Sequence, residues 1–341
     1  MPSRKRITMK QVAAEAGVSV MTVSYALRDH PEVSRATRER VKAVAERMGF
    51  RPDPMLSALV AYRSELTNPA SHGALGMVTP STISHLQHTA FGRLVIAAAR
   101  KRAQQLGYTL EMFPLDPALS SARSTEILRS RGIDGLLVAP PASPDTRLAL
   151  GWEHFSAVSI GRSLASPKLD FVSANQYAAA LQVHDELRER GYARIGFVAC
   201  GGIDSRVQHR FMAGYAAREF ELHGRLPLPP LLENTEQKTP LATWLKRYKP
   251  DAIISDGIPI LSCLEQLGFR VPEEIGVALC VIDDTPHRCS GIRVGFDQIG
   301  ARAVDFLHMK MLHDEKGVPR NPTGWVISGT WQEGETLRSG R

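Results

Sequence analysis

The stretch that decides the reading is AAEAGVSVMTVSYALRD, Ala13 to Asp29. It begins and ends with helical patterning, yet Gly17-Val18-Ser19 interrupts it after a few residues. Just upstream, Thr8 and Gln11 have the spacing of a capping box, and Met9, Val12, Ala13 and Ala16 repeat with the period of one buried helix face. Gly17 then supplies a helix C-cap that accepts positive φ, Val18 a small apolar plug, and Ser19 the next N-cap. In the second helix Val23, Ala26 and Leu27 form an inner stripe, opposite Met21, Ser24, Tyr25 and Arg28. A third helix starts at Ser34 and buries Val41, Val44, Ala45 and Met48. Three short helices with a tight glycine turn between the first two predict a helix-turn-helix. The break lets the second helix leave at a steep angle, with Val20, Met21 and Tyr25 turned to base edges in a major groove. The alternative is an ordinary three-helix bundle that carries apolar residues on its surface.

Charge supports the first option. The 341-residue chain has a net charge of +7, and residues 1–63 hold twelve Lys and Arg against six Asp and Glu. The head therefore carries almost all of the excess, which points to a polyanion partner for the head alone. The length allows two or three domains, and 43% hydrophobic residues are enough for sizeable cores. No apolar run is long enough to span a membrane, and no apolar segment follows the basic MPSRKRITMK, so neither a membrane span nor a signal peptide is expected. The expected location is the cytoplasm. Cys200, Cys263, Cys280 and Cys289 form no CxxC pair and have no His at metal-ligand spacing, so no disulfide, metal or cofactor is expected.

The segment MKQVAAEAGVSVMTVSYAL, followed by VSRATRERVKAVAERMGFRPDP, resembles the head of the lactose-repressor/galactose-repressor (LacI/GalR) family of bacterial transcription regulators. The likeness is dense over about fifty residues. It implies base reading by Val20, Met21 and Tyr25 and phosphate contacts from Ser19, Thr22, Ser24, Arg28, Ser34 and Thr37. Tyr25 departs from the Arg or His of many members, so their operator preference does not carry over. Asp53-Pro54 reads as N-cap and first helical residue of a short helix. The resemblance implies a hinge helix there, with Leu59 as the leucine pushed into the minor groove by a dimer; a plain linker helix is the alternative.

Beyond residue 72, apolar strand-like runs alternate with helices: 74–80, 108–115, 134–140, 156–161, 194–200, 251–256 and 275–283. This rhythm predicts α/β architecture with doubly wound parallel sheets, and there are enough strands for two lobes. The segments RIGFV, LEQLGFRVPEEIGVALCVIDD and GIRVGFDQIGARAVDFL resemble the periplasmic-binding-protein-like core of the same family. The expected organisation is a helix-turn-helix domain at 1–50, a hinge at 51–71 and an effector-binding core at 72–341. Lobe 1 is expected at about 72–165 and 292–323, and lobe 2 at about 170–285 and 325–341. Crossovers are placed near 161–175, 283–293 and 322–326.

The resemblance implies a ligand cleft between the lobes at the carboxyl ends of the strands. Those ends carry Gly161-Arg162, Cys200-Gly201-Gly202, Ser255-Asp256 and Asp283-Asp284. Phe91 matches a pocket aromatic and Asp283 the family's ligand-binding acid. Phe211 stands three residues before Gly214, where an arginine is usual, while Arg206 and Arg210 lie nearby. Expected effector-binding residues are thus Phe91, Arg162, Arg206, Arg210, Ser255, Asp256 and Asp283. Helix-surface positions for the two arginines and a loop role for Asp283 are the alternatives.

The implied function is a repressor whose grip on a DNA operator is set by a small-molecule effector, a sugar or another metabolite. A solute-binding protein would share the core but needs export and has no use for a basic head. An enzyme is disfavoured, because no GxSxG, GKS/T loop, HExxH or GxGxxG occurs in the required context. The ending GWVISGTWQEGETLRSGR has no heptad, so a homodimer is expected rather than a coiled-coil tetramer. Helix FGRLVIAAARKRAQQLG, with Ala97-Ala98-Ala99, is a candidate dimer face.

Overall fold

Thr8 opens the first helix as predicted, with its side chain on the Gln11 N–H and the Gln11 side chain on the Thr8 N–H. The computed structural model describes residues 7–27, 33–48, 50, 73–79, 89–199, 203–232, 238–257, 259–283 and 288–339. The chain divides into two compact units, Met1–Ala70 and Ser71–Arg341.

The first unit contains α1 (Met9–Ala16), α2 (Val20–Leu27) and α3 (Arg35–Arg47). Gly17 sits at φ 65°, ψ 37°, and the N–H groups of Gly17 and Val18 return to the carbonyls of Ala14 and Ala13. That is a Schellman close, and it depends on a residue content in the left-handed region. Val12, Val23, Ala26 and Val41 are completely buried, and Ala13, Ala16, Val33, Val44 and Ala45 complete the small core. Leu27 and Met48 are half-buried at its rim.

The described residues of the second unit form two sheets, parallel except for one terminal strand. The first consists of β1 (Ala74–Thr79), β2 (Thr109–Pro114), β3 (Ile133–Val138), β4 (Ser156–Ile160), β5 (Asp170–Ala174) and β10 (Gly324–Ile327), in the order β2-β1-β3-β4-β5-β10. The second consists of β6 (Ile195–Val198), β7 (Ala252–Ser255), β8 (Gly276–Ile282), β9 (Ser290–Arg293) and β11 (Thr330–Gln332), in the order β6-β7-β8-β9-β11, with β11 antiparallel to β9. Each predicted apolar run contains a strand, in most cases shorter by one or two residues at an end, and the end residues Pro80 and Cys200 lie outside the described residues.

Strand pairing moves the predicted lobe limits. β5 pairs with β4 and β10 pairs with β5, so 170–174 and 324–327 belong to lobe 1, not lobe 2. β9 pairs with β8, so 290–293 belongs to lobe 2. The chain changes lobe after β5, after β9 and between β10 and β11. The reason is physical: these short strands hydrogen-bond to one sheet before the chain leaves it, and local hydrophobicity does not say which sheet. Buried chemistry fixes one of them. Asp170, at the head of β5, pairs with Lys310 and accepts the Thr323 N–H at 2.7 Å, on the approach to β10.

Helices α4 (Ala90–Gln105), α5 (Ser121–Ser130) and α11 (Phe296–Leu312) serve lobe 1; α6 (Gln176–Glu189), α7 (Ile203–Arg206), α8 (Arg210–His223), α9 (Lys238–Tyr248) and α10 (Pro259–Gln266) serve lobe 2. α11 packs on α4 so closely that a Cβ at Gly300 would lie 2.3 Å from the Val95 carbonyl. The alanine run of α4 is thus used partly inside the lobe: Ala99 is completely buried, Ala98 half-buried, and only Ala97 is exposed. The terminal segment supplies β10 to one sheet and β11 to the other, a stitching role that its polar composition did not announce.

Candidate functional site: a nucleic-acid-facing head and an interlobe cleft

In the head, α2 and α3 begin with the same device. The Ser19 hydroxyl accepts the Thr22 N–H at 3.0 Å and lies 2.8 Å from the Thr22 hydroxyl. The Ser34 hydroxyl accepts the Thr37 N–H at 3.3 Å and lies 2.9 Å from the Thr37 hydroxyl. Both serines are exposed, so each pair offers hydroxyls beside the positive end of a helix, an arrangement suited to phosphate. Val20 is 44% exposed at the first position of α2. Tyr25 is half-buried and leans against the three-helix core, so less of its ring is presented than the outward stripe predicts. Met21 and Ser24 fall on α2, but their side chains are outside what is described; Arg28 and Leu59 lie outside the described residues.

The core contains a cavity of about 300 Å³ between its lobes. Lobe 1 contributes Thr89, Phe91, Pro140, Pro141, Gly161, Arg162, Ser163, Ser173 and Ala174, with Phe296 and Ile299 from α11. Lobe 2 contributes Gln176, Ile203, Arg206, Val207, Phe211 and Val281, with Val294 on the crossover. Phe91 and Phe296 meet edge to face at 5.1 Å. The Arg162 guanidinium lies over the Phe171 ring, 4.5 Å from its centroid. Burial, and then the like charge of Arg210, pull the Arg162 guanidinium below its ordinary pKa. A second cavity of about 290 Å³ adjoins the first and shares Gly161 and Arg162 with it.

Of the predicted effector residues, Phe91, Arg162 and Arg206 come together on this cavity. Arg210 does not line it; the side chain donates to Gln208 at 3.3 Å, and its Nε is buried without a hydrogen-bond partner. Ser255 and Asp256 are completely buried and turned to the fold. Ser255 donates to the Val198 carbonyl at 2.8 Å, and Asp256 accepts the Asp204 N–H at 2.8 Å. Asp283 is half-buried and outside the cavity lining. These polar residues stand at strand ends, as the resemblance implies, but Ser255 and Asp256 spend their bonds on neighbouring backbone. Asp204, which the sequence reading missed, explains why. It accepts the N–H groups of Phe211 at 3.0 Å and Met212 at 3.3 Å and lies 3.0 Å from His209 Nδ1. It thereby caps α8 and holds Gln208 and His209 in left-handed conformations at φ 61° and 55°. The result presents Arg206, Val207 and Phe211 to the cleft. Phe296, Val294 and Ile299 were also missed; the signal was a strand-to-helix turn in GIRVGFDQIGA of the same kind as at the other cleft segments. Among the described residues, no cluster of three or more His, Cys, Asp or Glu is placed to hold a metal ion, and no helix is long and apolar enough to cross a membrane.

Comparison with known proteins agrees with both halves. Residues 8–53 match the model of bacterial regulatory proteins of the lacI family, and residues 184–336 match the periplasmic binding protein-like domain. The HTH-type transcriptional regulator PtxS of Pseudomonas plecoglossicida is 29% identical over 321 residues, covering 89% of each chain. The HTH-type transcriptional regulator KdgR of Bacillus subtilis (strain 168) is 25% identical over 335 residues, covering 92% of this chain and 93% of its own. Among solved structures, a complex of the transcriptional regulator CelR with cellobiose has a TM-score of 0.59 at 20% identity, covering 97% of this chain and all of that one. The lac repressor dimer bound to operator and the anti-inducer ONPF has a TM-score of 0.58 at 18% identity, covering 98% and 100%.

Proposed function

We propose that this chain, whose head matches the lacI family model and whose core matches the periplasmic binding protein-like domain, is a cytoplasmic, homodimeric repressor whose operator affinity is set by a small molecule held in the interlobe cleft. The observation that carries the reading is the coexistence in one chain of a capped helix-turn-helix and a cavity with walls from both lobes. The head reads DNA: Val20, Met21 and Tyr25 face base edges, while Ser19, Thr22, Ser24, Arg28, Ser34 and Thr37 hold phosphates. Twofold symmetry presents two recognition helices to two half-sites, and paired Leu59 side chains wedge the minor groove between them. A ligand that binds one arrangement of the lobes better than another shifts the population and changes operator affinity about 5- to 150-fold. The cleft acts by binding rather than by catalysis: its lining supports positioning and contains no pairing of nucleophile and base.

Selection of sites from random duplexes by the full-length chain tests this. A near-palindromic site is expected, bound by a dimer. Tyr25→Ala and Val20→Ala change base preference at one or two positions by about 1–3 kcal/mol each. Equal binding of the wild-type chain to selected and random duplexes overturns the reading.

A further inference from the structure

The cleft has a charge character of its own. Its described lining includes Arg162 and Arg206, one from each lobe, and no Asp or Glu. Among the described residues neither arginine has a carboxylate partner, and Arg210, close enough to Arg162 to act on it through charge, has none either. Three long helices start at this cavity. Thr89 is the N-cap of α4, Gln176 is the first residue of α6, and α11 begins at Phe296 behind Gly295, which supplies no side-chain cap. Their amide ends add positive potential to that of the arginines.

Some of the neutral polar groups are already engaged. Thr89 accepts the Gly92 N–H at 3.0 Å, and Ser173 accepts from the Gln176 side chain at 3.2 Å. A polyhydroxylated ligand is best held by acceptors for its hydroxyl hydrogens, and the described lining has no carboxylate to supply the strongest of them. The remaining wall is apolar: Phe91, Ile203, Phe211, Val281, Val294 and Phe296. Phe211 occupies the position where the family resemblance expects an arginine, so polarity has been exchanged for hydrocarbon there. Arg162, stacked on Phe171, is held in place before any ligand arrives.

Resting on the regulator reading above, we propose that the effector is a small organic oxyanion with an apolar ring or chain, its charged end bridging Arg162 of lobe 1 and Arg206 of lobe 2. Bridging couples charge recognition to the relative position of the lobes, so one contact set provides both affinity and the differential binding that a population shift requires. The cavity volume suits a single substituted ring or a short chain.

The test is calorimetric titration and thermal shift of the full-length chain with matched probes. Benzoate, hexanoate and phenyl phosphate are compared with benzamide, hexanamide, glucose, ribose and adenine. At least one anion binds, roughly 10- to 100-fold more tightly than its neutral counterpart. Benzoate ahead of phenyl phosphate assigns the charged end to a carboxylate; the reverse order assigns it to a phosphate ester. Arg162→Gln and Arg206→Gln each weaken that binding about tenfold or more, whereas Arg206→Lys, which keeps the charge and serves as the folding control, loses less. Amides that bind as tightly as the acids, glutamine variants that bind undiminished, or a set in which no anion binds each overturn the proposal. Operator binding by the same preparation separates the two readings. Operator release by a neutral probe refutes the anion and keeps the regulator, while anion binding by a chain that recognises no operator does the reverse.

Discussion

The helix-turn-helix and the cleft are both recognition surfaces, but they are assembled at different ranges along the chain. In the head, the hydroxyl pairs Ser19–Thr22 and Ser34–Thr37 are three residues apart and are positioned by the helices they cap. In the cleft, Phe91, Arg162, Arg206 and Phe296 arrive from distant parts of the sequence, and both sheets must close before they meet. Local chemistry therefore specifies the first surface and tertiary chemistry the second. The same contrast governs ion pairs. Lys310 and Asp170 are paired with side chains only 4% and 7% exposed, whereas Arg47 and Glu15 in the head are paired at 2.7 Å with side chains 65% and 52% exposed.

The largest expected effect breaks the buried pair. Asp170→Ala removes the carboxylate that neutralises Lys310 and that accepts the Thr323 N–H. Glu315 Oε2, 3.4 Å from the ammonium and more than half exposed, compensates only in part. Removing one partner of a buried pair costs about 3–5 kcal/mol. Denaturant unfolding of the core measures it; a loss under about 1 kcal/mol would place this pair in the same class as the exposed one.

Next in size is Asp256→Ala. The residue is completely buried and accepts the Asp204 N–H, so its loss strands a donor beneath the α7–α8 turn. The expected outcome is about 1–3 kcal/mol of core stability, with ligand affinity of the folded fraction unchanged. A large affinity loss with intact stability would return Asp256 to the ligand site. This residue also marks the limit of sequence reading. Strand-end position and residue type point equally to Arg162, which faces the cavity, and to Asp256, which does not. Only the Asp204 network, built from residues 204 to 212 and 256, tells them apart. The strands at the lobe crossovers show the same limit. β5, β9, β10 and β11 span three to five residues, and β10 and β11 have no buried position. Their runs are too short to announce them: β5 and β9 are mostly buried, yet only pairing with a neighbouring strand assigns any of the four to a sheet. The strands that follow the longer apolar runs, β1 to β4 and β6 to β8, were legible. In the head, almost everything was legible, because a capping box, a left-handed glycine and two serine caps are all signals of short range. Tyr25 is the exception there: its period places it outward, and its size lets it reach back to the core.

Gly17→Ala tests how far local chemistry carries the head. No atom lies within 4 Å of the added methyl group, so the substitution measures backbone strain at φ 65° alone. The expected cost is about 1–2 kcal/mol. Hydrogen exchange should report it in α1–α3 and leave the protection of both core sheets unchanged. Loss of protection in the core as well would show that the two units do not fold on separate terms.

The smallest effect comes from Arg47→Ala. Arg47 Nη2 reaches Glu15 across the head and ties the end of α3 to α1, with short, well-formed geometry. Geometry alone would rank it beside Lys310–Asp170. Exposure reverses that ranking, since both partners are hydrated before folding and after it, and holding two long side chains in one arrangement costs entropy. Exposed pairs of this kind contribute about 0–1 kcal/mol. The contribution should fall further in 1 M salt, where the Debye length is about 3 Å. Unfolding of the head at low and high salt measures both quantities. A cost above about 2 kcal/mol, or one indifferent to salt, would show that Arg47 acts through the packing of its methylene stem on α1 and not through its charge.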